Sequence, residues 1–140
     1  ADKLIAKYGF KVLVLAGPKD IKLAQDVIKH MYNQGINLAG KTSVSQLASI
    51  LKRCKLFISN DSGPVHIAAA VGTPVISLFG REQKGLSPKR WGPLGLKDMF
   101  LHKTVGCIEC LAHNCNKEFA CLKAITVADV LNAADTILKR

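Results

Sequence analysis

Residues 56–79 read Leu56-Phe57-Ile58-Ser59-Asn60-Asp61-Ser62-Gly63-Pro64-Val65-His66-Ile67-Ala68-Ala69-Ala70-Val71-Gly72-Thr73-Pro74-Val75-Ile76-Ser77-Leu78-Phe79. Two short apolar runs, 56–58 and 75–79, predict buried strands. Between them, 64–71 predicts a short helix ended by Gly72. Pro64 suits the first helical position, because its missing N–H would be unpaired there anyway. Ser62 or Gly63 then occupies the N-cap, and the free N–H groups of the helix point at the strand end. Gly63 lets the backbone approach an anion closely. His66, in the first turn, can face the same anion, and Ala68, Ala69 and Ala70 keep the helix slim against a sheet. The alternative reading is a plain helix cap with a buried histidine.

The same alternation continues on the amino-terminal side. Val12-Leu13-Val14-Leu15-Ala16, closed by Gly17-Pro18, predicts a strand. Ile21, Ala24, Ile28 and Met31 make a helical stripe stopped by Gly35, and Ile36-Asn37-Leu38 is a second short strand. Ser43 with Gln46 forms a capping-box pattern before the stripe of Val44, Leu47, Ala48 and Leu51. Strands alternating with helices predict a Rossmann-like, doubly wound parallel sheet of the α/β class, one domain over residues 1–140.

After Gly80 the texture changes. Residues 81–121 hold a basic loop, with Arg81, Lys84, Lys89 and Arg90, followed by a cysteine-rich segment. Thr126 with Asp129 caps a last helix over 126–139. Cys107, Cys110, Cys115 and Cys121 are spaced C-x2-C-x4-C-x5-C, with His102 and His113 as spare ligands. Such a cluster suits a tetrahedral zinc, two disulfides if exported, or reduced structural thiols. Cys54, at the end of a helix, reads as a core residue.

The chain has 140 residues, 49% hydrophobic and 21% charged, an ordinary globular balance that excludes a disordered chain. Its uncharged runs fall far short of the ~20 apolar residues that span a bilayer. No signal peptide is predicted, and the absence of an initiating Met predicts a piece of something longer. Twenty Lys and Arg against ten Asp and Glu give a net charge of +10, which favours anionic partners.

The run NDSGPVHIAAAVGTPVISLFG, residues 60–80, resembles the signature of the bacterial lipopolysaccharide heptosyltransferases, glycosyltransferase family nine. Arg90-Trp91-Gly92-Pro93 and the cysteine cluster before a Thr-capped helix fit the same family. The resemblance covers essentially the whole chain and implies the carboxyl-terminal, nucleotide-sugar-binding domain of a GT-B enzyme without its first strand. It implies transfer of a heptose or related sugar from an ADP-sugar to a lipid-linked core oligosaccharide at the cytoplasmic membrane face, with no further cofactor. Asp61 would contact donor-sugar hydroxyls, Ser62 and Gly63 would hold the diphosphate, and His66 would offset charge on the leaving nucleotide. Gly17 and Asp20 would border the nucleotide, with Asp20 on ribose hydroxyls or else as the N-cap of the following helix. Gly40, Lys41 and Thr42 would line the base pocket, against a reading of Lys41 as a solvated loop residue.

The sequence departs from the family where Phe79-Gly80 is followed by Arg81-Glu82-Gln83-Lys84, without the expected phosphate-binding Thr, which Arg81 or Lys84 would replace electrostatically. By the same resemblance, the catalytic base and the acceptor domain lie outside this stretch, so the chain alone is expected to bind donor without catalysing transfer. Two alternatives are a GT-B nucleotide-sugar epimerase and a basic zinc module that binds nucleic acid. Aromatic residues are only 6%, and no stacking platform interleaves with the basic residues, which argues against the second.

Overall fold

A computed structural model describes residues 1–83, 85–107, 110 and 114–139. The chain divides into two compact units, Ala1–Leu47 and Ala48–Arg140.

The first unit opens with α1 (Asp2–Tyr8), which ends at Gly9 in the left-handed conformation. The backbone and side-chain N–H groups of Asn33 both donate to the Asp2 carboxylate, at 2.8 and 3.0 Å. These bonds, the backbone one foremost, hold that carboxyl below its ordinary range. Strands β1 (Leu13–Val14) and β2 (Ile36–Asn37) run parallel, with Leu13 opposite Ile36. Backbone bonds from Ile36 to Val12, Leu38 to Val14 and Gly40 to Ala16 prolong the pairing over most of the predicted apolar run. A single 3-10 turn, Pro18–Asp20, leads into α2 (Ile21–Lys29), whose Ala24 is buried. Next comes α3 (Val44–Leu51), which belongs to the second unit from Ala48 onward. Its predicted capping box is made: Ser43 N–H donates to Gln46 Oε1 at 2.8 Å and Gln46 N–H to Ser43 Oγ at 3.3 Å.

The second unit is built on β3 (Phe57–Asn60), α4 (Gly63–Ala70), β4 (Val75–Leu78), α5 (Pro88–Trp91), β5 (Met99–Leu101), α6 (Ala120–Lys123) and α7 (Val127–Leu138). The strands lie in the order β3-β4-β5, all parallel, with Phe57 opposite Val75 and Ile76 opposite Met99. The central strand β4 is the most buried, as a strand covered on both faces must be. Val75, Ile76 and Phe79 pack with Val65 and Ala68 of α4 and with Ala134 and Ile137 of α7 in the core. Thr73 Oγ1 donates to the Leu51 carbonyl at 2.6 Å, fastening the start of β4 to the end of α3. Cys54 is half-buried rather than deep in the core; its thiol donates to the Ile50 carbonyl, and burial raises its pKa.

The α/β class and the parallel pairing agree with the expectation, and two details differ. The described strands pair as one two-stranded and one three-stranded sheet, and the third strand of the latter, β5, falls in a stretch read as loop. Helix α4 starts at Gly63, so Pro64 occupies the second helical position. The capping box of α7 is present in full: Thr126 accepts from the Asp129 N–H, and the Asp129 carboxylate accepts from the Thr126 N–H.

Candidate functional site

Parallel strands deliver all their carboxyl ends to one edge, which is where α/β sheets bind ligands. In the second unit, β3 delivers Asn60 and Asp61 there, and β4 delivers Gly80 and Arg81. Ser62 is the N-cap of α4 in extended conformation, and its side chain caps no helix N–H. Its hydroxyl instead lies 3.0 Å from the Ser59 hydroxyl. Pro64 has no N–H and the Val65 N–H donates to the Ser62 carbonyl at 3.0 Å, so among the described residues the Gly63 N–H is the first-turn donor left for an outside acceptor. A Cβ added at Gly63 would meet nothing within 4 Å, so the approach to this helix start is open. His66 is exposed on the same turn, its ring 6.4 Å from Trp91 in an edge-on arrangement. Trp91 is held by a bond from its indole N–H to the Gly85 carbonyl and has the Arg90 guanidinium 5.5 Å from its ring centre.

Beside this turn lies an open cleft of about 330 Å³, lined by Asp61 and Arg81 from the strand ends and by residues of the cysteine-rich segment. Among the described residues, Arg81 has no ion-pair partner. The chain next to Arg81 is fixed by Glu82, whose carboxylate accepts from Thr104 Oγ1 at 2.9 Å and lies 3.2 Å from His102 Nε2. The Thr104 and His102 bonds, in that order, lower the Glu82 pKa. His102 Nδ1 lies 3.0 Å from the Phe79 carbonyl, so the ring links the end of β4 to the loop beyond it. The sequence reading missed this arrangement, because Thr104 and His102 reach the loop only through β5. Lys84, the other cation proposed to replace the missing Thr, lies outside the described residues.

Cys107, Cys110, Cys115 and Cys121 all line the cleft as free thiols. The Cys121 thiol donates to the Gly80 carbonyl at 3.3 Å, and Cys115 Sγ accepts the Phe119 N–H at 3.3 Å. Glu118 and Phe119 adopt left-handed φ values of 48° and 59°, uncommon away from glycine. Among the described residues no group of His, Cys, Asp or Glu side chains is arranged to hold a metal, so the zinc reading finds no geometry here. His113 lies outside the described residues.

The remaining candidates belong to the first unit. Gly17 precedes the 3-10 turn, with open space where a Cβ would be. Asp20 stands at the N-cap of α2, yet its side chain makes no capping bond, which removes the simple capping explanation for it. Gly40 has φ 70°, so its left-handed backbone favours glycine, and a Cβ there would lie 2.7 Å from the movable end of Ile21, at Cδ1. Lys41 is exposed and Thr42 half-buried, at the turn between β2 and α3.

The family model for glycosyltransferase family 9 (heptosyltransferase) matches residues 2–120. Lipooligosaccharide heptosyltransferase 2 of Campylobacter jejuni is 29% identical over 128 residues, covering 89% of this chain and 39% of that protein. Lipopolysaccharide heptosyltransferase 3 of Escherichia coli K12 is 43% identical over 75 residues, 51% of this chain and 22% of that one. The crystal structure of a family 9 glycosyl transferase from Veillonella parvula superposes with a TM-score of 0.83 at 31% identity, over 99% of this chain and 39% of that one. Escherichia coli ADP-heptose lps heptosyltransferase II gives a TM-score of 0.80 at 26% identity over the same shares. The chain thus spans about two-fifths of the proteins that it matches along most of its length. The match selects the glycosyltransferase reading over the epimerase and the nucleic-acid module.

Proposed function

Because this chain belongs to glycosyltransferase family 9, the heptosyltransferases, we propose that it forms the donor-binding part of an enzyme transferring a heptose from ADP to a lipopolysaccharide core. The observation that carries this reading is the uncapped start of α4, open at Gly63 and next in the chain to Asp61, which lines one cleft with Arg81. The diphosphate of the donor sits at the Gly63 N–H at the start of α4, where the helix dipole favours negative charge. Asp61 accepts hydrogen bonds from sugar hydroxyls. His66 and Arg81 act on the departing nucleotide.

The bond from the anomeric carbon to the diphosphate oxygen breaks, and one from that carbon to an acceptor hydroxyl forms. Negative charge gathers on the leaving diphosphate as this happens. Fixed donors aimed at that oxygen lower the barrier without reorganising. Arg81 supplies by charge what the missing Thr would supply by a hydroxyl. The base that takes the acceptor proton is not assigned to any residue of this chain. The lipid-linked acceptor places the reaction at the cytoplasmic face of the inner membrane.

Product analysis of the full-length protein with ADP-heptose and a lipopolysaccharide acceptor tests the reading. Equal amounts of ADP and heptosylated acceptor are expected. Release of an epimerised sugar without acceptor modification would contradict it.

A further inference from the structure

The stretch Arg90-Trp91-Gly92-Pro93 comes a loop after β4, yet its tryptophan reaches the first turn of α4, where its ring meets His66. The end of α5 that carries Trp91 is built tightly. The Trp91 N–H donates to the Ser87 carbonyl at 3.1 Å and the Gly92 N–H to the Pro88 carbonyl at 2.7 Å. A Cβ on Gly92 would collide with that same Pro88 carbonyl, so glycine lets the turn close this far. Pro88 beneath it is buried. The far end of the indole is fixed as well, because its N–H donates to the Gly85 carbonyl at 3.0 Å. The Arg90 guanidinium, 5.5 Å from the ring centre, adds a cation–π contact. Trp91 is 43% exposed, and its ring is nevertheless held by backbone, hydrogen bond and cation together.

His66 is in the opposite position. It is exposed, and among the described residues its ring makes no hydrogen bond and no ion pair. An exposed imidazole free at both side-chain torsions divides its time among rotamers, most of which miss any one target. What its ring meets is Trp91, with centres 6.4 Å apart and planes at 69°. An edge-on aromatic pair of this kind favours one mutual orientation.

We propose that Trp91 is a positioning residue: it holds the His66 ring towards the start of α4, so that an imidazole N–H is aimed at the leaving diphosphate oxygen. This role rests on the donor reading and deepens it, by naming what orients His66. A hydrogen-bond donor stabilises developing charge best when it is in place before the charge forms. Trp91 touches no reacting atom and acts through His66. Arg90 stands one step further out and acts through the indole. The residue types of the stretch then have a physical reason. Position 91 needs a wide ring with an anchoring N–H, and position 92 needs glycine to close the turn that presents it.

The test is steady-state kinetics of the full-length protein with ADP-heptose and a lipopolysaccharide acceptor. The variants are Trp91→Leu, Trp91→Phe, His66→Ala and the double variant Trp91→Leu, His66→Ala, each first shown to melt like the wild type. Leucine keeps apolar bulk at the position, and phenylalanine keeps an aromatic ring. Trp91→Leu is expected to lower kcat about tenfold, the upper worth of an aromatic pair, with the donor KM unchanged. Trp91→Phe is expected to stay within about threefold of the wild type. In the His66→Ala background, Trp91→Leu is expected to lower kcat no further, because the residue it acts through is gone.

Wild-type kcat in Trp91→Leu would overturn the proposal. So would an equal loss with and without His66, which would make Trp91 a support or a contact independent of the histidine. A raised donor KM at unchanged kcat would do the same, by making Trp91 a ground-state contact of the donor. Each of these leaves the donor reading standing. Failure of the unmodified protein to form ADP and heptosylated acceptor would overturn the donor reading, and this role with it.

Discussion

A Cβ built on Gly63 meets no atom within 4 Å, while one built on Gly40 lies 2.7 Å from Ile21 Cδ1 on a backbone of φ 70°. The same residue type thus answers two different demands. Gly40→Ala is expected to destabilise the chain by about 1–2 kcal/mol in urea denaturation, from the left-handed backbone, since the Ile21 side chain can move aside. Gly63→Ala is expected to leave the denaturation midpoint nearly unchanged and to weaken ADP binding, because its methyl group occupies the approach to the helix start. Both glycines were legible as site candidates in the sequence. Their separation was not, since the space around a glycine depends on what the chain brings against it. Arg81 is the sharper case. The sequence offered it only as a substitute for a missing Thr, and its place beside Asp61 emerges from the parallel pairing of β3 and β4. Arg81→Gln is expected to weaken ADP binding about tenfold, the scale of one charge-assisted hydrogen bond, and to reduce its salt dependence.

The elements that the sequence announced are those with local signals. Helix α3 carries Ser43 with Gln46, and α7 carries Thr126 with Asp129; both reciprocal caps are made. Strands β3 and β4 are apolar runs cut by turn residues. Strand β5 has no such frame: Met99-Phe100-Leu101 follows Gly95, Leu96, Lys97 and Asp98 without β-branched residues, and only its place beside β4 makes it a strand. Missing β5 also hid how His102 and Thr104 reach Glu82, and how the segment beyond it forms a cleft wall.

The cap of α7 has a pH consequence. The Asp129 pKa is lowered from 3.8 to about 2, first by the Thr126 backbone N–H, then by Lys103 and the Thr126 hydroxyl. A carboxyl whose folded pKa lies below its unfolded one contributes stability above pH 3.8, lost as pH falls towards about 2. Thermal melts between pH 5 and pH 2 should show this loss in the wild type and a smaller one in Asp129→Asn (pH values are about those limits). At pH about 7, Thr126→Ala is expected to cost about 1 kcal/mol in the same melts, the usual worth of an N-cap.

At the scale of the whole molecule, the net charge of +10 acquires direction once the fold is known. In the second unit, Arg81 stands in the cleft at the carboxyl edge of the sheet, while Lys52, Arg53, Lys55 and Lys97 stand at the amino edge. Composition alone left the choice among nucleotide, membrane and nucleic acid open. Topology gives these cations separate edges of one sheet. The family match, the parallel sheets and the open helix start meet in one central claim: the 61–66 turn receives the diphosphate of an ADP-sugar. The most direct measurement is a calorimetric titration of ADP, with UDP and GDP alongside, into the chain and into Ser62→Trp. The account predicts binding selective for ADP that the tryptophan, placed at the start of α4, abolishes. ADP binding that Ser62→Trp leaves intact, in a variant that melts like the wild type, would contradict it.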